Sequence, residues 1–314
     1  MNIVFVESLG MCECTINKSL ATLKNQGHTV TFYHDRNENE EVLIERARNA
    51  EVVVVSNIPL RKHFFENCPK LRMLSVAFTG VDHIDLEECK KRDITVCNAA
   101  GYSTEAVAEL TIGMMIAVYR KMVGGDAILR IGGDRQGVLG SELHGKTVGI
   151  VGLGAIGQRV ALLANAFGCK VLGYNRSPKA LPHITQVDKD TLLRQSDIIT
   201  VHLPLNPETK AFIGTNEFAL MQPHAVLINT ARGPIVSQEA LYNALKKGQI
   251  AGAAVDVYDQ EPPLPLNLEL FNAPNLLMLP HMGYATREAF ETRLNIVIRN
   301  IEMWLNNTPQ NQLL

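Results

Sequence analysis

The chain has 314 residues, 46% of them hydrophobic, and a formal net charge of −2 at pH 7. That length exceeds one compact core and predicts two domains, while the near-neutral charge without a dense Lys/Arg stripe argues against nucleic acid or an anionic membrane as the main partner. No apolar run reaches the roughly 18 residues of a membrane span, so small molecules are the expected partners.

The chain opens on Ile3–Val6, a short β-branched strand with Glu7 behind it, and lacks the basic start and long apolar core of a signal peptide. A cytoplasmic location is therefore expected. Strand-like and helix-like segments then alternate through residue 99: a helix around Lys18–Asn25, strands at Thr29–Tyr33, Val52–Ser56, Leu71–Val76 and Ile94–Cys97, and a helix over Glu40–Asn49. Such alternation predicts a parallel sheet flanked by helices. Six cysteines (Cys12, Cys14, Cys68, Cys89, Cys97 and Cys169) lack the paired spacing of a zinc site, so reduced thiols and no metal are expected.

Ser103–Lys121 carries Ala, Val, Leu, Met and Ile at helical spacing and reads as the connector into a second domain. It is too apolar to face water on all sides, which suits either a dimer interface or burial within one monomer. Beyond Gly124–Leu143, a glycine-rich segment, comes Thr147-Val-Gly-Ile-Val-Gly-Leu-Gly-Ala-Ile-Gly157. Val148, Ile150 and Val151 suit a buried parallel strand. Gly152 allows a tight turn, Gly154 lets the backbone approach a pyrophosphate, and Gly157 lets the following helix pack on the strand. Amides at the helix start, with Ala155 and Ile156, point at the phosphates. The helix Gln158–Phe167, capped by Gly168, and the strand Lys170–Tyr174 complete a βαβ unit at the right distance.

For NAD the residue ending that second strand should be acidic, to bind the ribose hydroxyls and repel a 2′-phosphate. Here it is Asn175, followed by Arg176 and Ser177, a cation and a hydroxyl where the extra phosphate of NADP would lie. NADP is the expected cofactor; the alternative is NAD, with Asn175 bonding the ribose neutrally and Arg176 in solvent. Further strands at Ile198–His202, Ala225–Asn229, Ile250–Asp256 and Leu276–Leu279 bring the count to six, a doubly wound sheet. The amphipathic helix Arg287–Leu305 follows and is expected to cross back to the first domain.

Ligands of such sheets sit outside the carboxyl ends of the strands. Arg232, Glu261 and His281 fall after the fourth, fifth and sixth strands. A guanidinium forks onto a carboxylate and its neighbouring carbonyl. A histidine can protonate a forming alkoxide, and a carboxylate on its other nitrogen fixes the tautomer and stabilises the imidazolium.

These residues lie in blocks that resemble the D-isomer-specific 2-hydroxyacid dehydrogenases along almost the whole chain: Gly80-Val-Asp-His-Ile-Asp85, Asn98–Glu109, Gly152–Gly157, Leu203–Thr209, Ile228–Gly233, Ala254–Tyr258 with Glu261-Pro262, and Pro280–Gly283. The resemblance implies an α/β fold of two Rossmann-like domains, a flavodoxin-like catalytic domain built from both chain ends (1–99 and 285–314) and a doubly wound dinucleotide-binding domain (100–284). By it, Arg232 binds substrate, Glu261 pairs with His281, and His281 is the acid–base. Thr104, Pro204, Thr209 and Gly283 match cofactor-contacting positions, Thr230 and Ala231 line the nicotinamide, and Asp256 accepts a hydrogen bond near its carboxamide. Backbone amides of the loop Phe78-Thr79-Gly80-Val81 meet the substrate carboxylate, and the 124–143 region packs across a homodimer.

The implied reaction is hydride transfer between NAD(P)H and a small 2-oxo acid, as in glyoxylate or hydroxypyruvate reductases. Phe78 and Leu60 are expected to border the substrate pocket and favour a small or moderately apolar side chain. Two alternatives stand beside this: a dehydrogenase for a larger apolar 2-oxo acid, and a nucleotide-sensing corepressor-like protein that keeps the motifs without turnover.

Overall fold

The computed structural model describes all 314 residues, and the chain divides into two compact units, Met1–Ser103 with Ala285–Leu314, and Thr104–Tyr284.

Unit 1 runs β1 (Asn2–Phe5), α1 (Glu13–Ser19), α2 (Ala21–Asn25), β2 (Thr29–Phe32), α3 (Glu40–Ala47), β3 (Val52–Val55), α4 (Lys62–Asn67), β4 (Met73–Val76), α5 (Leu86–Lys91) and β5 (Thr95–Asn98). The five strands form a parallel sheet in the order β2-β1-β3-β4-β5. Val52–Val55 is buried at every position, as a central parallel strand covered on both faces requires. The helix expected around Lys18–Asn25 begins earlier, at Glu13, and is broken at Leu20 into two short pieces. Glu13 in its first turn suits the positive end of the helix.

Unit 2 runs α6 (Thr104–Tyr119), α7 (Met122–Arg130), β6 (Thr147–Val151), α8 (Ala155–Ala166), β7 (Lys170–Tyr174), β8 (Thr185–Gln186), α9 (Lys189–Gln195), β9 (Ile198–Val201), α10 (Thr215–Leu220), β10 (Val226–Asn229), α11 (Gln238–Lys246), β11 (Gly252–Val255) and β12 (Leu276–Met278). Its parallel sheet has seven strands, ordered β12-β11-β10-β9-β6-β7-β8. The seventh, β8, escapes sequence reading because it pairs only two residues, Thr185 and Gln186, with Leu172 and Gly173. One face of the sheet packs Ile150 and Ile228 against Ile112 and Met115 of α6 and Val160 and Ala164 of α8. The other packs Val201 and Leu227 against Leu193 of α9, Phe218 of α10 and Leu241 of α11.

Much of the apolarity of α6 goes into unit 2, where Ala108, Ile112, Met114, Met115 and Tyr119 share a core with Val160 and Ala164 of α8, Val226 and Ile228 of β10 and Ala254 of β11. Exposed apolar side chains cluster instead on and after α7, which has no buried residue.

The last helix, α12 (Arg287–Leu305), belongs to unit 1. Its Leu294, Val297 and Ile301 join the core of Ile3, Phe5, Val52 and Met73, each such side chain contributing about 2 kcal/mol by burial. No helix is long and apolar enough to cross a membrane.

Candidate active site

The turn after β6 is shaped by two steric facts. Gly152 sits at φ 101°, and a Cβ on Gly157 would lie 2.0 Å from the Gly152 carbonyl oxygen, so the helix start and the turn approach as only glycine permits. Gly154 differs: a Cβ there would meet nothing within 4 Å. The open side of the turn thus lies at the amino end of α8, a helix of 12 residues, where backbone amides and the helix dipole favour a phosphate.

Side chains following β7, and one from α8, pin this turn. Asn175 Oδ1 accepts from Leu153 N at 3.2 Å, and Asn175 Nδ2 donates to the Ser177 carbonyl at 2.9 Å. Lys179 Nζ and Gln158 Nε2 both donate to the Leu153 carbonyl, at 2.8 and 2.9 Å. Sequence reasoning missed Lys179 and Gln158, whose partner is a backbone carbonyl that no spacing rule identifies. Arg176 pairs at 3.3 Å with Glu208 on the surface. Thr209 Oγ1 donates to the Pro204 carbonyl at 2.6 Å and accepts from Asn206 N at 2.9 Å, closing the turn that follows β9. Thr104 opens α6.

β10, β11 and β12 are neighbours, so the loops after them emerge along one sheet edge. Asn229, the last residue of β10, is buried; its Oδ1 accepts from Ala231 N at 3.1 Å and its Nδ2 donates to the Arg232 carbonyl at 3.0 Å. One amide side chain thereby shapes the loop carrying Thr230, Ala231 and Arg232. The Thr230 hydroxyl lies 3.1 Å from that of Thr111, and Arg232 Nη1 donates to the Ala231 carbonyl at 2.8 Å.

Asp256 follows β11 and is buried, accepting from Met282 N at 2.8 Å and Gly283 N at 2.7 Å. Burial raises its carboxyl above the ordinary range, and the two amides oppose that rise. A Cβ on Gly283 would lie 2.9 Å from Asp256 Oδ2, so the loop closes on the carboxylate only with glycine there. The expected role of Asp256 near a carboxamide is thus joined by a second one: it clamps the loop that presents His281.

His281 Nδ1 lies 2.7 Å from Glu261 Oε2, bringing together two of the residues picked from the sequence. The His281 backbone is left-handed, φ 54°, a conformation that costs about 1 kcal/mol for most residues and that histidine visits more often than branched side chains do. Its ring meets Tyr284 edge-on at 5.5 Å. Tyr258 donates to the Leu279 carbonyl at 2.8 Å, and burial pushes its phenol up to about 12.

In unit 1 the loop after β4 is held from β5. Ala99 N donates to the Phe78 carbonyl at 2.9 Å, and Asn98 Nδ2 to the Thr79 carbonyl at 2.8 Å. In a trans peptide the N–H points opposite to the C=O. Both bonds therefore turn the Thr79 and Gly80 amides away from β5. The role of Asn98 is not legible in the sequence, because it depends on the pairing of β4 with β5. Leu60 is fully buried, and its backbone N–H and C=O bond His83 and Asp85. It serves the core of unit 1, not a pocket wall.

The family described as D-isomer specific 2-hydroxyacid dehydrogenase, NAD binding domain, matches residues 112–283. A glyoxylate reductase of Thermococcus litoralis is 42% identical over 273 residues, covering 83% of this chain and 82% of that protein. A glycerate dehydrogenase of Methylorubrum extorquens is 37% identical over 294 residues, covering 89% and 92%. Among solved structures, an acyclic imino acid reductase in complex with NADPH and D-Arg aligns at TM-score 0.91 with 34% identity, covering all of both chains.

Proposed function

The chain belongs to the D-isomer specific 2-hydroxyacid dehydrogenases, and on that premise we propose that it is an NADPH-preferring reductase of small 2-oxo acids such as glyoxylate and hydroxypyruvate. The observation that carries the proposal is the 2.7 Å contact of His281 Nδ1 with Glu261, on the sheet edge shared with Arg232.

The open turn at Gly154 fits a dinucleotide pyrophosphate. When bound, the reduced nicotinamide supplies the hydride. Glu261 accepts the Nδ1 proton of His281, so the proton given to the forming alkoxide is carried on Nε2. In unit 2, Arg232 forks onto the substrate carboxylate and the carbonyl oxygen; in unit 1, the outward-turned amides of Thr79 and Gly80, with Phe78 beside them, suit a carboxylate. Thr104, Pro204, Thr209, Thr230, Ala231, Asp256 and Gly283 are assigned to the cofactor.

Preference for NADPH is supported by Asn175, which is neutral and committed to its own turn, and by the cations Arg176 and Lys179 around it. The exposed Arg176–Glu208 pair is worth under about 1 kcal/mol, so a phosphate dianion can replace it. A charge-assisted contact of about 1.5–3 kcal/mol gives a preference of roughly tenfold or more in kcat/KM. The test is steady-state turnover of glyoxylate, hydroxypyruvate, pyruvate and phenylpyruvate with NADPH and with NADH. Equal values, or preference for NADH, overturn the cofactor assignment; fastest turnover of phenylpyruvate moves the substrate to larger apolar acids. Tight NADPH binding without turnover of any 2-oxo acid supports the sensor reading.

A second reading is favoured by the full-length likeness to the imino acid reductase. The same proton donor can serve a C=N bond, and turnover that requires an added amine with the 2-oxo acid distinguishes it.

The protein is further proposed to be a cytoplasmic homodimer. Six free cysteines suit a reducing compartment. Leu129, Ile131 and Leu139 are 73%, 85% and 88% exposed, and a second copy would cover them. Light scattering should give a dimer that Leu129→Asp with Ile131→Asp converts to monomer; a wild-type monomer refutes it.

A further inference from the structure

The six cysteines fall into two classes. Cys68, Cys89, Cys97 and Cys169 are buried, and burial pushes their thiols up, the first three to about 11, 12 and 11. Cys12 and Cys14 are exposed in the segment between β1 and α1 and at the start of α1. Their Sγ atoms lie 2.7 Å apart, and Cys12 Sγ is 3.0 Å from Thr15 Oγ1. None of these groups has a part in the hydride transfer proposed above.

We propose that Cys12 and Cys14 form a dithiol that a hydroperoxide converts to an intramolecular disulfide, with Cys12 as the attacking thiol. The sulfurs need to close by only a fraction of an ångström to reach the roughly 2.05 Å of an S–S bond. Hydrogen bonds from Cys14 and Thr15 lower the Cys12 thiol from 9.0 to about 7. At pH 7 this raises its thiolate share about fiftyfold over an ordinary thiol, while intrinsic nucleophilicity falls about eightfold, a net gain of roughly sixfold.

The Cys12 thiolate attacks one peroxide oxygen, the O–O bond breaks, and hydroxide or alkoxide leaves, giving a sulfenic acid on Cys12. The Cys14 sulfur then attacks that sulfur, the S–O bond breaks, and the oxygen departs as water with the Cys14 proton. Two thiols are oxidised by two electrons and one peroxide is reduced.

The test treats the reduced full chain with hydrogen peroxide, alkylates remaining thiols under native conditions, and reads intact mass and a peptide map. The expected result is loss of two hydrogen masses, a Cys12–Cys14 crosslinked peptide, and full reversal by dithiothreitol. In Cys14→Ser, dimedone should trap a sulfenic acid at Cys12; in Cys12→Ser, peroxide consumption should slow roughly sixfold. The two variants should keep the basal 2-oxo acid reductase activity and the wild-type circular dichroism. Thiols at 12 and 14 that stay alkylatable after peroxide, or a Cys12→Ser variant oxidised as fast as wild type, would overturn the proposal.

Discussion

Asn98 ends β5 in unit 1 and Asn229 ends β10 in unit 2, and the two solve the same problem with the same side chain. Each is buried at the carboxyl end of a parallel strand, and each accepts through Oδ1 from the amide two residues on, Ala100 N at 3.3 Å and Ala231 N at 3.1 Å. The difference lies in where the Nδ2 donor goes. Asn229 reaches forward to its own loop, at the Arg232 carbonyl, whereas Asn98 reaches sideways to the Thr79 carbonyl after the neighbouring strand β4. A strand that ends in asparagine can therefore set either the loop it starts or the loop beside it. Asn175 after β7 combines both directions, bonding Leu153 N across the sheet and the Ser177 carbonyl ahead. Aspartate would keep the acceptor and lose the donor, leaving the loop carbonyl without that partner.

The largest effect is expected for His281→Asn, which removes the proposed proton donor and should lower kcat about a thousandfold with NADPH affinity kept, as read by stopped-flow turnover and fluorescence titration. Asn229→Ala should come next. It leaves Arg232 in place chemically but frees its loop, and a misplacement of about 1 Å costs on the order of a hundredfold in kcat/KM, mostly in kcat. Asn98→Ala should raise KM for the 2-oxo acid about tenfold with kcat nearly unchanged, because it loosens amides proposed to bind substrate and transition state alike. If both asparagine variants give the same kcat-to-KM split, the forward and sideways roles are not distinct.

The smallest effect concerns His202, the residue after β9, where a titrating ring stands in place of an amide. Burial holds its imidazole down to about 3, with Thr200 Oγ1 at 2.9 Å from Nε2. A folded pKa below the unfolded value means that the unfolded chain binds more protons. Its contribution is then fully present above about pH 6.5 and is lost as pH falls from there toward 3. Between pH 7.5 and 6 the loss should be roughly 0.8 kcal/mol in urea denaturation. His202→Gln should flatten that dependence, and an unchanged slope would assign it to other groups.

The strands were legible because β-branched runs such as Val52–Val55 and Thr147–Val151 are buried on both faces and carry no competing helical period. The resemblance, motif by motif, carried Glu261 and His281 as a pair, and the structure brings them within 2.7 Å. What stayed hidden depends on neighbours in the sheet. Asn98 meets Thr79 only because β4 and β5 pair in register, and Lys179 meets Leu153 across 26 residues. β8 was missed because two residues give no period, and Leu60 misled because an apolar residue near a loop reads alike as pocket wall or as core.

The place of α12 in unit 1 has a consequence for synthesis. Leu294, Val297 and Ile301 fill the core around Ile3 and Phe5, and Leu313 N donates to the Val96 carbonyl at 2.8 Å. While the chain is still on the ribosome, residues 104–284 are complete before the segment that closes the amino-terminal sheet has been made. Folding in order of emergence would give the seven-stranded sheet its native form first and leave the earlier-made strands waiting, with apolar surface uncovered, for the final helix. Nascent chains stalled before residue 287 should accordingly bind chaperones through their first hundred residues and release them when α12 emerges.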